Sequence, residues 1–176
     1  MARWRFEPGH TAAEFCVRHM MVAYVRGHFK NIQGVLEFDP EKPEAGRVQV
    51  EINAAEFWSG EPERDDHLRS SDFLDVQHYP KITFRSTKVA PTARNEYKVT
   101  GDLTIRGVTR PVTLDVRFLG QGKSPLDDTR VGFTARTIIN RHDFGASWNS
   151  EMKDGGVVVG DDVIITVDAE AILEAG

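Results

Sequence analysis

Metal ligation and proton transfer are the first chemistries to test, because histidine, cysteine and carboxylate side chains could support both. The six histidines stand at positions 10, 19, 28, 67, 78 and 142, and Cys16 is the only cysteine. Neither His-x-His nor His-Glu-x-x-His occurs, although zinc sites need such closely spaced ligands. We therefore predict no metal site and no bound cofactor.

Nucleophilic and acid–base catalysis also lack a sequence signal. The chain contains no Gly-x-Ser-x-Gly turn that would expose a catalytic serine. The carboxylate pairs Asp65-Asp66, Asp127-Asp128 and Asp161-Asp162 lie in turn-like or charged segments, where solvated side chains are commoner than general acids. The sequence therefore favours a binding protein over an enzyme.

His19 is the one histidine expected in the interior. It has the same parity as Phe15 and Val17 in an alternating segment. Its ring is then either satisfied by a backbone carbonyl or free to donate a hydrogen bond to the polar group of a ligand.

The segment 138–145 is the second polar candidate, because Asn140 and Arg141 stand there beside an aromatic residue and a glycine. One interpretation is a structural corner, in which these side chains bond turn amides. The other is a polar rim that binds a ligand headgroup together with Asn149.

Apolar and polar residues alternate along most of the chain. A period of two is typical of strands with one buried and one solvent-facing side. The apolar members of these predicted strands are Ala13 to Val17, Val48 to Ile52, Ile82 and Phe84, Tyr97 to Ile105, Val112 to Phe118, Val131 and Phe133, and Val163 to Ala169.

Turns and two exceptional segments separate the predicted strands. Segments 20–26 and 63–74 lack the alternation and could hold helical turns, the second as a short cap with Leu68 and Phe73 facing inward. The predicted turns are at Asp39-Pro40, Pro91, Arg106-Gly107, Gly120 to Pro125 and Gly155-Gly156.

About eight consecutive strands with one polar side each form either a two-sheet sandwich or a closed up-and-down barrel. Periodicity alone leaves both open. The lack of a cysteine pair and the mid-chain position of the cap favour the barrel. Since no repeat or linker interrupts the sequence, we predict one all-β antiparallel domain over residues 1–176.

Charge and hydropathy exclude several classes of partner. The net charge of −5 disfavours nucleic acid, whose binding depends on Lys and Arg. The first residues contain no apolar run of the kind that a secretion signal needs. Elsewhere, no apolar run reaches the ~20 residues of a transmembrane helix. We expect a cytoplasmic protein without a transmembrane segment.

Four groups of residues carry a family resemblance. They are HMMV (19–22) with VRGHF (25–29), HLRS (67–70) with DF (72–73) and YPKITF (79–84), GDLTIRGVT (101–109), and NRHDFG (140–145). With these segments the chain resembles the YceI-like family of polyisoprenoid-binding proteins over almost its full length. The resemblance implies an eight-stranded antiparallel lipocalin-like β-barrel with a short helical cap, whose apolar lumen holds an isoprenoid without catalysis.

Two features depart from the family pattern. Members often begin with a signal peptide, which this sequence does not show at its start. The segment FWS (57–59) stands where smaller residues are common, so one end of the lumen is expected to differ in shape.

These considerations predict a ligand site with an apolar part and a polar headgroup part. The predicted partner is an isoprenoid lipid, either a polyprenyl or polyprenyl-diphosphate-like compound or an isoprenoid quinone. A homodimer, an enzyme acting on such a lipid with His19 as acid or base, and a barrel filled by its own side chains stay open. The predicted headgroup residues are His19, His67, Asn140, Arg141 and Asn149. The predicted lumen residues are Phe15, Val17, Met20, Met21, Phe29, Ile32, Leu36, Phe57, Leu68, Phe73, Ile82, Phe84, Leu103, Ile105, Leu114, Phe133, Phe144 and Trp148.

Overall fold

The computed structural model describes residues 1–153 and 156–175, and in this part of the chain all strands join one antiparallel sheet. The turn predicted at Gly155 lies outside the described residues. One helix, α1 (Pro62–Arg69), accompanies the sheet. The strands are β1 (Arg3–Phe6), β2 (Ala12–His19), β3 (Ala23–Phe29), β4 (Gln33–Glu37), β5 (Arg47–Asn53), β6 (Phe57–Trp58), β7 (Lys81–Ala93), β8 (Glu96–Ile105), β9 (Val108–Lys123), β10 (Thr129–Asn140) and β11 (Val159–Leu173).

The sheet closes into a barrel because β11 pairs with β10 on one side and with both β1 and β2 on the other. The two short strands β1 and β2 therefore act as one interrupted barrel strand. The same holds for β3 with β4 and for β5 with β6, since β4 pairs with β1 and β5, and β3 pairs with β2 and β6. Eight strands in meander order result, as predicted.

The interruption between β1 and β2 has a local cause. Pro8 has no N–H to donate to a ladder, and residues Pro8–His10 form a 3-10 turn. The buried Thr11 hydroxyl compensates: it donates to the Glu170 carbonyl at 3.1 Å and accepts from the Glu170 amide at 3.2 Å. The Thr11 side chain thus supplies the partner of the Glu170 amide, while the Glu170 carbonyl also accepts from the Glu7 amide at 2.8 Å.

The hairpin between β2 and β3 corrects one prediction. Segment 20–26 was expected to hold a helical turn, but the chain reverses at Met20 and Met21, and β3 already begins at Ala23. Both methionines adopt positive φ angles, 51° and 61°, as the central residues of a tight turn in which the Val22 amide donates to the His19 carbonyl at 3.2 Å, and His19 pairs with Ala23 across the three-residue loop. Asn and Gly residues normally indicate such turns, so a turn built from two methionines is not recognisable in the sequence. The helix predicted within 63–74 is confirmed as α1.

The turn predicted at Pro91 and the first part of the turn predicted from Gly120 to Pro125 fall inside strands instead, while Ser124 and Pro125 do lie in the turn between β9 and β10. Pro91 lies in β7, where the pairing with β8 shifts register between Pro91 and Ala93. Gly120 lies in β9 with a φ of 131°, opposite the register shift of β10 at Gly132. At both residues the ladder is irregular but continues, as is typical of proline and glycine at β-bulges.

Candidate functional site

The barrel encloses an elongated cavity of about 320 Å³, which falls within the range of small-molecule pockets, roughly 300–1,000 Å³. Its walls are the inward-facing aliphatic and aromatic side chains of the strands, such as Val50, Leu103 and Val167. Leu68, Phe73 and Leu74 close one end from the side of α1. The interior can therefore take up an apolar molecule.

Most of the predicted lumen residues line this cavity, because strand parity places alternate side chains on the same side. Their role in binding stays a prediction. The lining members are Phe15, Val17, Phe29, Ile32, Leu36, Leu68, Phe73, Ile82, Phe84, Leu103, Ile105, Leu114, Phe133 and Phe144.

Four predicted lumen residues are corrected, since the structure places them away from the cavity wall. Met20 and Met21 are 40% and 39% exposed at the tip of the β2–β3 hairpin. Phe57 is buried, but it packs behind the wall against Phe29, with ring centroids 5.4 Å apart. Trp148 packs on His67, at 4.6 Å between ring centroids, outside the cavity lining.

Two glycines make room for aromatic rings of the wall. A Cβ atom on Gly27 would lie 2.2 Å from Phe15 Cζ, and one on Gly101 would lie 2.5 Å from Phe84 Cζ. Gly27 is the register partner of Phe15 on the neighbouring strand. The glycines therefore set the positions of the two rings, and with them the width of the lumen.

One end of the barrel is formed by aromatic side chains. Phe38 lies between Phe118 and Phe133, with ring centroids 5.1 and 5.2 Å away, and its ring also meets Tyr97 edge-on at 6.1 Å. Trp4 Nε1 donates to the Phe38 carbonyl at 3.3 Å. Of these aromatic residues, only Phe133 belongs to the predicted lumen set. Phe38 and Trp4 are missing from that set because they lie outside the long alternating segments.

The other end contains the only buried arginine of the described chain, Arg141. Its Nε donates to the Gly160 carbonyl at 2.7 Å, and its Nη1 donates to the carbonyls of Ala146 and Trp148 at 2.6 and 2.8 Å. Its Nη2 donates to the Val159 carbonyl at 3.2 Å.

These four bonds hold the loop after β10 against the start of β11. Burial lowers the pKa of the Arg141 guanidinium, and the charge of Asp161 opposes this shift. The group nevertheless stays protonated near neutrality. Arg141 is thus a buried cation that also lines the cavity.

The remaining predicted headgroup residues do not face the lumen. His19 has the predicted parity, but it is the last residue of β2 and is exposed beyond the barrel rim. Asn149 bonds the backbone of Val158 and Val159.

Asn140 and His67 are also engaged elsewhere. The Asn140 side chain caps the 3-10 turn Arg141–Phe144 by accepting from the His142 amide. His67 Nε2 lies 2.8 Å from Asp72 Oδ2, and its ring packs between Phe73 and Trp148. Asn140 and Asn149 therefore stabilise the corner, and His67 stabilises the segment that follows α1.

Helix α1 is fixed over the arginine end by polar contacts with the chain before it. Asp65 is 1% exposed and accepts from the amide and the hydroxyl of Ser59. Arg69 donates to the carbonyls of Ala55 and Phe57 at 2.9 and 3.1 Å. The middle and the last residue of the helix are therefore tied to the chain from Ala55 to Ser59.

A serine, a histidine and an aspartate meet on the surface of the corner. His142 Nδ1 lies 2.9 Å from Ser147 Oγ, and His142 Nε2 lies 2.7 Å from Asp161 Oδ1. Asp161 is 64% exposed, so solvent competes for these contacts, unlike in the buried triads of hydrolases. The arrangement connects the 3-10 turn to β11.

Neither a metal cluster nor a spanning helix emerges from the described residues. Across 1–153 and 156–175, no group of three or more His, Cys, Asp or Glu side chains is placed to hold a metal ion. In the same ranges, no helix has the length and apolar character needed to cross a membrane.

Sequence comparison finds curated relatives that cover most of the chain. A UPF0312 protein of Pseudomonas putida (strain W619) is 42% identical over 139 residues, which are 79% of this chain and 72% of the relative. A UPF0312 protein of Pseudomonas fluorescens (strain SBW25) is 41% identical over the same shares.

Solved structures share the fold over nearly the full chain. Burkholderia cenocepacia BcnA superposes with a TM-score of 0.82 at 29% identity, over 94% of this chain and 98% of that one. A Campylobacter jejuni YceI protein gives a TM-score of 0.77 at 30% identity, with 90% of each chain covered. A polyisoprenoid binding domain from Saccharophagus degradans gives 0.72 at 13% identity, over 99% and 100%. The family model of the YceI-like domain matches residues 4–171, and the chain therefore belongs to the YceI-like family.

Proposed function

We propose that this protein binds an isoprenoid lipid in the lumen of its barrel, for storage, transport or sequestration. The observation that carries the proposal is the cavity of about 320 Å³, whose wall is built from apolar side chains. An empty apolar cavity of this size loses dispersion contacts, and a hydrophobic guest restores them.

The isoprenoid class is favoured by family membership and by one structural relative. The Saccharophagus degradans domain with the same fold is described as polyisoprenoid binding. Burial of one CH₂-sized group yields about 0.8 kcal/mol, so one isoprene unit contributes nominally ~4 kcal/mol before costs. A few units suffice for binding, and the length of the lumen then limits how many are enclosed.

Arg141 is the single predicted headgroup residue that reaches the lumen. A guanidinium has five N–H groups, and four of those in Arg141 already donate to carbonyls. One N–H is left. We therefore expect Arg141 mainly to stabilise the corner and to offer a ligand in the lumen at most one hydrogen bond.

The proposal is a binding function without catalysis. The enzyme alternative relied on His19 as an interior acid or base, and His19 is exposed at the rim. A cytoplasmic setting and a possible homodimer belong to the proposal as well. Cell fractionation tests the first, and the mass of the native assembly tests the second.

The experiment that tests the proposal places a charge in the lumen. Leu103 lines the cavity at 8% exposure, so Leu103→Asp should abolish binding of geranylgeraniol, measured by calorimetric titration. The matched control is Thr104→Asp, because Thr104 is the next residue of β8 and points outward. Circular dichroism confirms that both variants fold.

Ala135→Trp provides a second variant that adds bulk without charge. Ala135 lines the cavity, while the neighbouring Arg136 is exposed and supplies the control Arg136→Trp. We expect binding to be lost in Ala135→Trp alone. Unchanged binding by folded Leu103→Asp and Ala135→Trp would contradict the proposal.

A further inference from the structure

The barrel wall is not hydrogen-bonded along its whole height between β9 and β10. Register pairs join the two strands from Thr129 and Lys123 to Arg136 and Asp115. Among the described residues, no pair continues this ladder into 137–140 of β10. The Thr113 carbonyl, which faces this gap, accepts instead from the Thr137 hydroxyl at 2.9 Å. The two strands therefore separate toward the arginine end.

A second cavity of about 280 Å³ lies on the outside of this separation. Val112, Thr137, Ile139 and Phe144 line both this outer groove and the lumen. The apolar interior and the outer groove are thus neighbours across this part of the wall.

The outer groove differs chemically from the lumen. Arg110, Thr113, Asn140 and Asp143 contribute to its lining. One cationic and one anionic residue, Arg110 and Asp143, thus belong to the lining, and Arg110 Nε donates to the backbone carbonyl of Asp143 at 3.2 Å. Mixed charges and amide or hydroxyl groups suit an uncharged hydrogen-bonding group better than a diphosphate.

We propose that the outer groove between β9 and β10 binds the uncharged polar end of the ligand, an isoprenoid alcohol or a related carbonyl compound, while its tail occupies the lumen. This inference rests on the proposed function and adds the chemistry of the headgroup. The ligand spans the wall where the ladder is absent, so no backbone pairing has to break.

A reversible crosslink across the groove tests the assignment. Continuing the register places Thr113 opposite Ile138, and both side chains are exposed. The double variant Thr113→Cys/Ile138→Cys is made with Cys16→Ala, which removes the single native cysteine. Oxidation should draw the strands together and weaken farnesol binding about tenfold, the effect of one lost hydrogen bond. Farnesene, which lacks the hydroxyl, should bind unchanged, and reduction should restore farnesol binding.

The matched control crosslink is Asp115→Cys/Arg136→Cys, a pair of exposed residues that already face each other in the ladder. It should change the affinity of neither compound. Equal losses for farnesol and farnesene, or an unchanged farnesol affinity in the oxidised protein, would overturn the inference. If the parent protein binds neither compound, the proposed function fails and the inference falls with it.

Thiol titration reports whether the crosslink forms. If it does not, Thr113→Phe fills the groove instead, and Thr100→Phe is its control. The hydroxyls of Thr100 and Thr113 share a hydrogen bond of 3.0 Å, so both variants lose the same contact. Only Thr113→Phe should weaken farnesol binding, again about tenfold. A loss of the same size in Thr100→Phe would contradict the groove assignment.

Discussion

The two ends of the barrel are closed by different chemistry. At one end, rings of Phe38, Phe118 and Phe133 pack at centroid distances of 5.1 to 5.2 Å. At the other, Arg141 bonds the carbonyls of a long loop, and α1 covers the opening. Ring packing dominates the first end, whereas the second depends on directional bonds from one buried cation.

The difference indicates which end recognises the polar part of a ligand. The packed rings of Phe38, Phe118 and Phe133 offer apolar contact at the far end. Polar groups concentrate near Arg141 and along the adjoining separation of β9 and β10. A ligand with one polar end should therefore orient in a single direction, tail toward the aromatic end.

Removal of the Arg141 side chain should have the largest effect. Arg141→Ala leaves four carbonyls without their donor, so we expect the free energy of unfolding to fall by about 4 kcal/mol. Urea denaturation measures this loss. Arg141→Lys keeps the charge but cannot bridge the carbonyls, and it should recover only part of the stability. A loss below about 1 kcal/mol in Arg141→Ala would remove the contrast between the ends.

At the aromatic end, Phe38→Ala should lower the free energy of unfolding by about 3 kcal/mol, because a buried ring is replaced by a cavity. Phe38→Leu, which retains apolar volume, is the control and should cost about 1 kcal/mol. Differential scanning calorimetry follows both. Equal losses for the two variants would show that ring packing is not what closes this end.

Acid should weaken the aromatic end through Asp128, at the start of the hairpin strand that carries Phe133. The Arg130 guanidinium and the Ser124 hydroxyl hold the pKa of Asp128 at about 2, below its ordinary value of 3.8. The folded-state pKa is depressed, so this stabilisation is present above the ordinary value and is lost as the pH falls from about 4 to about 2. The stability difference between the parent and Asp128→Asn should shrink over that range. A difference independent of pH would contradict the ion pair.

The smallest effect is expected at the surface of the corner. Ser147→Ala removes the contact with His142, and solvent can replace it, so stability should change by less than about 1 kcal/mol. The same variant tests catalysis, since ester hydrolysis by the parent that disappears in Ser147→Ala would identify a reactive serine. We expect no such activity.

Strand parity let the sequence predict most of the strands and many of the inward residues, while the closed barrel was implied mainly by the family resemblance. Where inward residues are all large, as from Val112 to Phe118, the alternation is plain. In β3 the inward position 27 is a glycine that accommodates Phe15, so the pattern breaks and the strand was missed. Parity also does not indicate how far along the barrel axis a residue lies. It therefore could not show that His19 stands at the exposed end of β2.

The corner and the outer groove depend on contacts between distant segments. Arg141 meets carbonyls up to 19 residues away, and no spacing in the sequence signals such bonds. The separation of β9 from β10 coincides with a break in the alternation, since Thr137 lines the lumen and Ile138 is exposed, but such a break does not by itself indicate that two strands part. Sequence analysis could identify 138–145 as polar, but not which groups its side chains bond.

Native mass spectrometry of the protein purified from its own host tests the central claim most directly. Gentle ionisation should give the chain with an added mass, and solvent extraction of the same sample should release an isoprenoid of that mass, because the apolar lumen retains its ligand. A protein with the mass of the bare chain and a lipid-free extract would contradict the account.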